Sequence, residues 1–368
     1  MVRGGILAAA LGASALGAAG CPSFRDAASR DTASAGAVAS PDSAVVGGGD
    51  AGPGSGRSAG RGAADSARTL TEMRDVDLGI VPDVSMHVFY LRGYLTRRSP
   101  GRPVTLDDQA SYVQHVDTAA TFIAYRQLAN LLNRHVFDYD GAPLEDLEVG
   151  EKEDDTTRIE LKANLSHALG VQISIDGKPE VTPDGKVRVR TSSIHALGIS
   201  VGGLLHLLGL QGGDVVHPKH APGVTLSGDD VILDPPSMLP PPRTRGRVVG
   251  VSVGRSGLGL TFGSPAGADD GHGTGGRLGP AGRGRYLVYR GGTVRIGRLT
   301  MRRADLVILD ADTSDAFDFD VRRMHRQLQA GYVKVEPDGG LTVHAPDFAD
   351  IGSPRARRRG VSGARRRR

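Results

Sequence analysis

The chain has 368 residues, a single cysteine, no tryptophan and a formal net charge of +4. One cysteine excludes an internal disulfide, so any folded part must be held by a hydrophobic core. Eight arginines near the end (Arg355, Arg357, Arg358, Arg359 and Arg365 through Arg368) outweigh the whole net charge. The remainder is acidic on balance, which argues against a nucleic-acid-binding body.

Met1-Val2-Arg3 is a short, singly charged start, followed by an uncharged, Ala- and Leu-rich stretch from Gly4 to Gly20. That is the length of a signal-peptide core and shorter than a membrane-spanning helix. It ends in Ala18-Ala19-Gly20-Cys21, which resembles the bacterial lipobox but has Ala18 where Leu is usual. The resemblance implies a signal peptide over residues 1–20 and a diacylglyceryl thioether on Cys21 that anchors the chain to a membrane. Pro22 stands where an inner-membrane lipoprotein carries Asp, so the same resemblance points to the outer membrane, with the body facing the periplasm. The alternative is an ordinary signal peptide cut nearby, with Cys21 incidental.

Residues 21–70 are Ala, Gly, Ser, Asp and Arg with two glycine-rich knots, Gly47-Gly48-Gly49 and Gly52-Pro53-Gly54. Such a composition lacks the apolar surface needed to offset ordering entropy, and predicts a flexible tether. Residues 71–351 form the body, interrupted by a long exposed loop over 264–285. Residues 352–368 are a disordered arginine tail, either solvated or resting on anionic headgroups.

Within the body the dominant pattern is period two, the mark of strands with one apolar face. Val84, Met86, Val88 and Tyr90 alternate first. Tyr125 to His135 then has helical spacing through Leu128, Leu131, Leu132 and His135. Alternation returns in Ile159, Leu161, Ala163 and Leu165, and in Leu169, Val171, Ile173 and Ile175. A Pro183-Asp184-Gly185 turn leads to Val187 and Val189. Ile199 to Leu210 is apolar nearly all round and predicts a buried helix; Pro235 to Pro242 breaks the chain. Val249, Val251 and Val253, then Leu258, Leu260 and Phe262, and finally Leu287 to Ile296 resume the strands, with Gly291-Gly292 read as a hairpin turn. A last helix is predicted over Val321 to Ala330. These elements add up to a β-rich α+β body whose one-sided strands must be covered.

Gly185-Lys186-Val187-Arg188-Val189 followed by Gly198-Ile199-Ser200-Val201-Gly202-Gly203-Leu204-Leu205, behind a helix ending Leu131-Leu132-Asn133, resembles LmeA-like phospholipid-binding proteins of the tubular lipid-binding (TULIP) superfamily. The similarity spans roughly Val104 to Gly263. It implies a long curved antiparallel sheet wrapped around one or two helices, holding phospholipid or another acyl-chain lipid in an apolar cavity. Leu161, Val171, Ile173, Val189, Leu204, Leu205 and Leu208 are the candidate lining residues. The alternative is a periplasmic structural or interaction lipoprotein in which the same residues form a solid core.

Asp310, Asp312 and Ser314 have the spacing of a calcium loop, but Gly at position six and Glu at position twelve are replaced by Asp315 and Val321, so an acidic surface turn is expected. His217 and His220 flank Pro218, which places them in a loop and not on a zinc-binding helix, and His206 belongs to the apolar helix. Ser227-Gly228-Asp229-Asp230 reads as a turn into a strand. No nucleophile elbow or phosphate-binding glycine loop is present. No catalytic residue, metal or cofactor is expected; a hydrolase would have to assemble its site from distant residues.

Palmitate labelling is expected for the wild-type chain and not for Cys21→Ala; equal labelling of both would remove the anchor.

Overall fold

The computed structural model describes residues 68–142, 144–166, 171–196, 221–227, 230–263, 278–280, 284–312 and 314–351. Cys21, the expected tether up to residue 67, the tail and the predicted helix with His206, Leu204, Leu205 and Leu208 lie outside these residues, as do His217 and His220; the last three residues assigned to the tether, 68–70, belong to the first strand. The elements in order are β1 (Arg68–Val81), β2 (Val84–Arg97), β3 (Val104–Thr105), β4 (Tyr112–Ala124), α1 (Tyr125–Leu131) continued by a π-helical turn (Leu132–Val136), β5 (Leu144–Lys152), β6 (Asp155–Leu165), β7 (Gln172–Val181) and β8 (Val187–Ala196). They continue with β9 (Val224–Ser227), β10 (Asp230–Leu233), α2 (Pro235–Met238), β11 (Arg243–Arg245), β12 (Val248–Gly254), β13 (Gly257–Phe262), β14 (Tyr286–Ile296), β15 (Leu299–Asp310), β16 (Phe317–Asp320), α3 (Met324–Ala330), β17 (Tyr332–Val335) and β18 (Leu341–Ala345).

The body is β-rich α+β, as its alternating pattern predicts. A twelve-stranded, mainly antiparallel sheet runs β12-β13-β4-β2-β1-β14-β15-β18-β17, with β11, β16 and β3 added parallel to β4, β1 and β14. It curls into a half-barrel. A second, antiparallel sheet runs β5-β6-β7-β8-β10-β9.

The curl has a visible cause. The inward residues of β1 are Thr71 and Met73, then Val76, Leu78 and Ile80, a change of parity at Asp75, whose φ is +53°. Opposite it, β2 changes from Val84, Met86 and Val88 to Leu91 and Leu95 at a bulge that leaves Phe89 exposed. On β4 the switch from Tyr112, Gln114 and Val116 to Ala119, Thr121 and Ile123 occurs at a second bulge, around Asp117. Bulges bend a strand and increase its twist. Three adjacent strands thus bend while keeping an apolar face inside. Tyr90, read as a fourth member of the inward row, sits past the bulge and turns out, its ring under the Arg74 guanidinium. Val249 is likewise 43% exposed, because a bulge separates Val248 from Gly250.

The Gly291-Gly292 hairpin reading is corrected: both residues lie inside β14. The hairpin closes two residues beyond Thr293-Val294-Arg295-Ile296, over Gly297-Arg298, where Ile296 pairs with Leu299. The two glycines have φ of +79° and +60° opposite Arg303 at +53°, so they form a distortion within a continuous ladder.

One core lies along β1, β2, β14, β15, β16 and α3, built on Val76, Leu287, Leu306, Ile308, Phe317 and Phe319. The other two pack the second sheet against α1 and join it to β12–β13. Helix α1 has no side-chain cap; instead the Tyr125 N–H donates to the Ser256 carbonyl and its hydroxyl to that of Gly254, tying the helix to the β12–β13 hairpin. Just after it, Asn133 both donates to and accepts from the Leu147 backbone at 2.8 Å, so that one side chain serves β5 as a strand partner.

A Cβ on Gly292 would lie 2.5 Å from the Thr69 hydroxyl and 2.7 Å from the Arg68 carbonyl, in a left-handed conformation. Gly292→Ala is therefore expected to lower unfolding free energy by about 1–3 kcal/mol, measured by urea titration. Gly297→Asn, at a φ of +55° with open space around it, should cost well below that.

Candidate functional site

The concave side of the half-barrel holds a narrow cavity of about 160 Å3. Strand β2 contributes Met86, Val88, Leu91 and Leu95; β4 contributes Tyr112 through Ile123 on its inward row; β13 contributes Leu258, Leu260 and Phe262. Leu128 and Leu131 of α1 close one side. The roof is the segment Leu233 to Thr244, including Pro235, Met238, Leu239, Pro240 and Pro242.

The proline-rich roof follows from backbone chemistry. An unpaired N–H facing an apolar cavity is costly. Five of the eight residues from Pro235 to Pro242 are prolines and have no N–H. Two of the remaining three, Ser237 and Met238, donate to the Asp234 carbonyl. The segment read as a chain break is thus suited to face an apolar space.

Among the described residues no charged side chain lines the cavity. Its polar members are Gln114, Thr121, Thr244, Tyr112 and Tyr289. Gln114 donates to the His115 carbonyl, Thr121 to that of Leu260 and Thr244 to that of Pro242. Tyr112 and Tyr289 are 5% and 3% exposed, and neither hydroxyl has a hydrogen-bond partner among the described residues. Burial pushes both phenols far above their ordinary range, so both remain neutral donors.

Of the lining residues expected from sequence, Leu161, Val171 and Ile173 pack in the core between the second sheet and α1. Val189 packs beside Ile159 and Leu131. None of the four lines the cavity; their neighbour Val187 does. The inward rows of β2 and β13 carried the period-two signal. Tyr112 and Tyr289 carried none, since buried tyrosines are unremarkable until their hydroxyls are traced.

A second, polar pocket of about 640 Å3 is lined by Asp77, Ser85, His87, Gln127 and the aspartates between Asp312 and Asp350. The expected acidic surface turn is only partly exposed: Asp310 and Asp320 are 7% and 8% exposed. Asp320 is fully engaged, accepting from the Arg322 and Arg323 amides, the latter's guanidinium holding the second oxygen. Asp310 ends the inward row of Leu306 and Ile308; one oxygen accepts from the Asp312 amide and the other has no partner. Burial pushes its pKa up to about 7. Asp347 rises to about 6, first through burial and then through Asp315, Asp318 and Asp312. Carboxylate oxygens of Asp312, Asp347 and Asp350 lie within 4.8 Å of one another, the one grouping with cation-ligand spacing among the described residues.

His87 faces this pocket with Nδ1 2.7 Å from Asp77 and Nε2 3.5 Å from Asp75. Sequence spacing gave no hint of this pairing, which depends on the bulge at Asp75. Both ring nitrogens therefore face carboxylates. Asp75 is also held by Arg285 at 2.9 Å.

Folded-state values raised above the ordinary 3.8 mean stability that is complete below about pH 4 and lost as pH rises through about 7 for Asp310. The stability of wild type relative to Asp310→Asn is therefore expected to fall by about 1 kcal/mol or more between pH 4 and pH 8. Urea titrations across that range test this; a constant difference would show that Asp310 does not titrate there.

Comparisons with protein-family models, with curated proteins and with solved structures each return no match.

Proposed function

We propose that the body binds an acyl-chain lipid in the half-barrel cavity, as the mature part of an exported lipoprotein held at the outer membrane through Cys21. The carrying observation is the cavity itself, lined by side chains from the sheet, α1 and the proline-rich roof, with no charge among the described residues. Charged or strongly polar ligands would lose their hydration there without compensation, whereas an alkyl chain gains by entering. A cavity near 150 Å3 lined by aliphatic groups is known to take a small hydrocarbon, so the described space suits a segment of one chain. A tether of about fifty residues would let the body reach tens of ångströms from its anchor, consistent with lipid handling in envelope transport or maintenance.

The second reading is a structural or interaction lipoprotein. It is favoured by β17 at the sheet edge, where Tyr332, Val333 and Val335 are 60%, 54% and 68% exposed. An exposed apolar edge strand invites pairing with another chain.

Native mass spectrometry and organic extraction of the purified chain distinguish the two. Acyl lipid is expected to copurify, or to bind on addition. A chain that carries none and takes up none would end the lipid-binding reading.

A further inference from the structure

Tyr112 and Tyr289 approach the cavity from different parts of the curl. Tyr112 opens β4, opposite Arg97 of β2, and Tyr289 lies on β14, opposite Thr71 of β1. Both phenols line the same cavity, and neither hydroxyl has a partner among the described residues. Leaving a buried donor unpaired costs about 1–3 kcal/mol. Groups placed this way in an otherwise apolar wall mark where a ligand's polar atom belongs.

We propose that the occupant is a neutral acyl ester, or a ketone of similar shape, whose carbonyl oxygen accepts a hydrogen bond from Tyr112 or Tyr289. This rests on the lipid-binding reading above and specifies its ligand class. A carbonyl oxygen accepts without needing a charge or a donor of its own, which matches a neutral phenol. A pure hydrocarbon would leave both phenols unpaired. A free fatty carboxylate would bring a charge into a site with no cation among its described lining residues. The ligand's recognised feature is thus the uncharged ester linkage next to the alkyl chain, with any charged headgroup outside the cavity.

Three of the six methionines, Met73, Met86 and Met238, line the cavity, while Met301 and Met324 do not. Methionine-methyl NMR of the full chain therefore reports binding at this place. The probes are methyl hexanoate, n-heptane and hexanoate at pH 8. Methyl hexanoate should shift the three cavity methyls and bind at least about tenfold more tightly than heptane or hexanoate. Tyr112→Phe or Tyr289→Phe should weaken the ester several-fold, with heptane binding unchanged in both, which also shows that the variants are folded. Heptane binding as tightly as the ester, hexanoate doing so, or ester affinity untouched in both variants would overturn the carbonyl assignment while leaving an apolar binding site. If no probe moves any cavity methyl, the lipid-binding reading falls and this inference with it.

Discussion

The structure depends on how a sheet with one apolar face bends without turning that face outward. A side-chain period of two allows no gradual change of facing, so a bent strand must either expose part of its row or gain a residue. Here β1, β2 and β4 each switch parity once, at Asp75, Phe89 and Asp117. At the Arg92–Gly93 irregularity the β4 backbone comes so near that a Cβ on Gly93 would meet the His115 carbonyl at 1.9 Å. The concave face that results has two fates. Towards β14 and β15 it is filled by Phe317, Phe319, Met324 and their neighbours. Towards β13 it is left partly open, under a roof poor in backbone donors.

That division explains which features were legible in the sequence. Alternation located most strands and the β-rich class, because burial on one face writes itself into every second residue. It failed where bulges intervened. Tyr90 and Val249 lie one step past an inserted residue, and nothing in the residue types marks the insertion. Gly291-Gly292 looks like a hairpin turn because glycine suits left-handed geometry in turns and bulges alike; only the pairing with Arg68, Thr69 and Ala304 separates them. Of the candidate lining residues, Leu161, Val171 and Ile173 come from the alternating runs around β6 and β7, and those runs pack a closed core. A cavity is a failure of packing between elements, which no single strand encodes.

The two pockets differ in electrostatic character. Among the described residues the apolar cavity carries no charge and its two neutral phenols have no partner, which would suit recognition by shape and by hydrogen-bond donation. The other gathers carboxylates whose proximity and burial raise the pKa values of Asp310, Asp318 and Asp347. Its histidine is occupied by two of those acids' neighbours, Asp75 and Asp77.

Everything proposed for the concave face requires that it be a true cavity and not a loosely drawn core. Xenon enters dry apolar cavities of this size and is excluded from close-packed interiors. Under xenon pressure the methyl signals of Met73, Met86 and Met238 should shift in a saturable way, while those of Met301 and Met324 stay fixed. Uniform small shifts at all five methyls, or none, would mean a solid interior and would contradict the account.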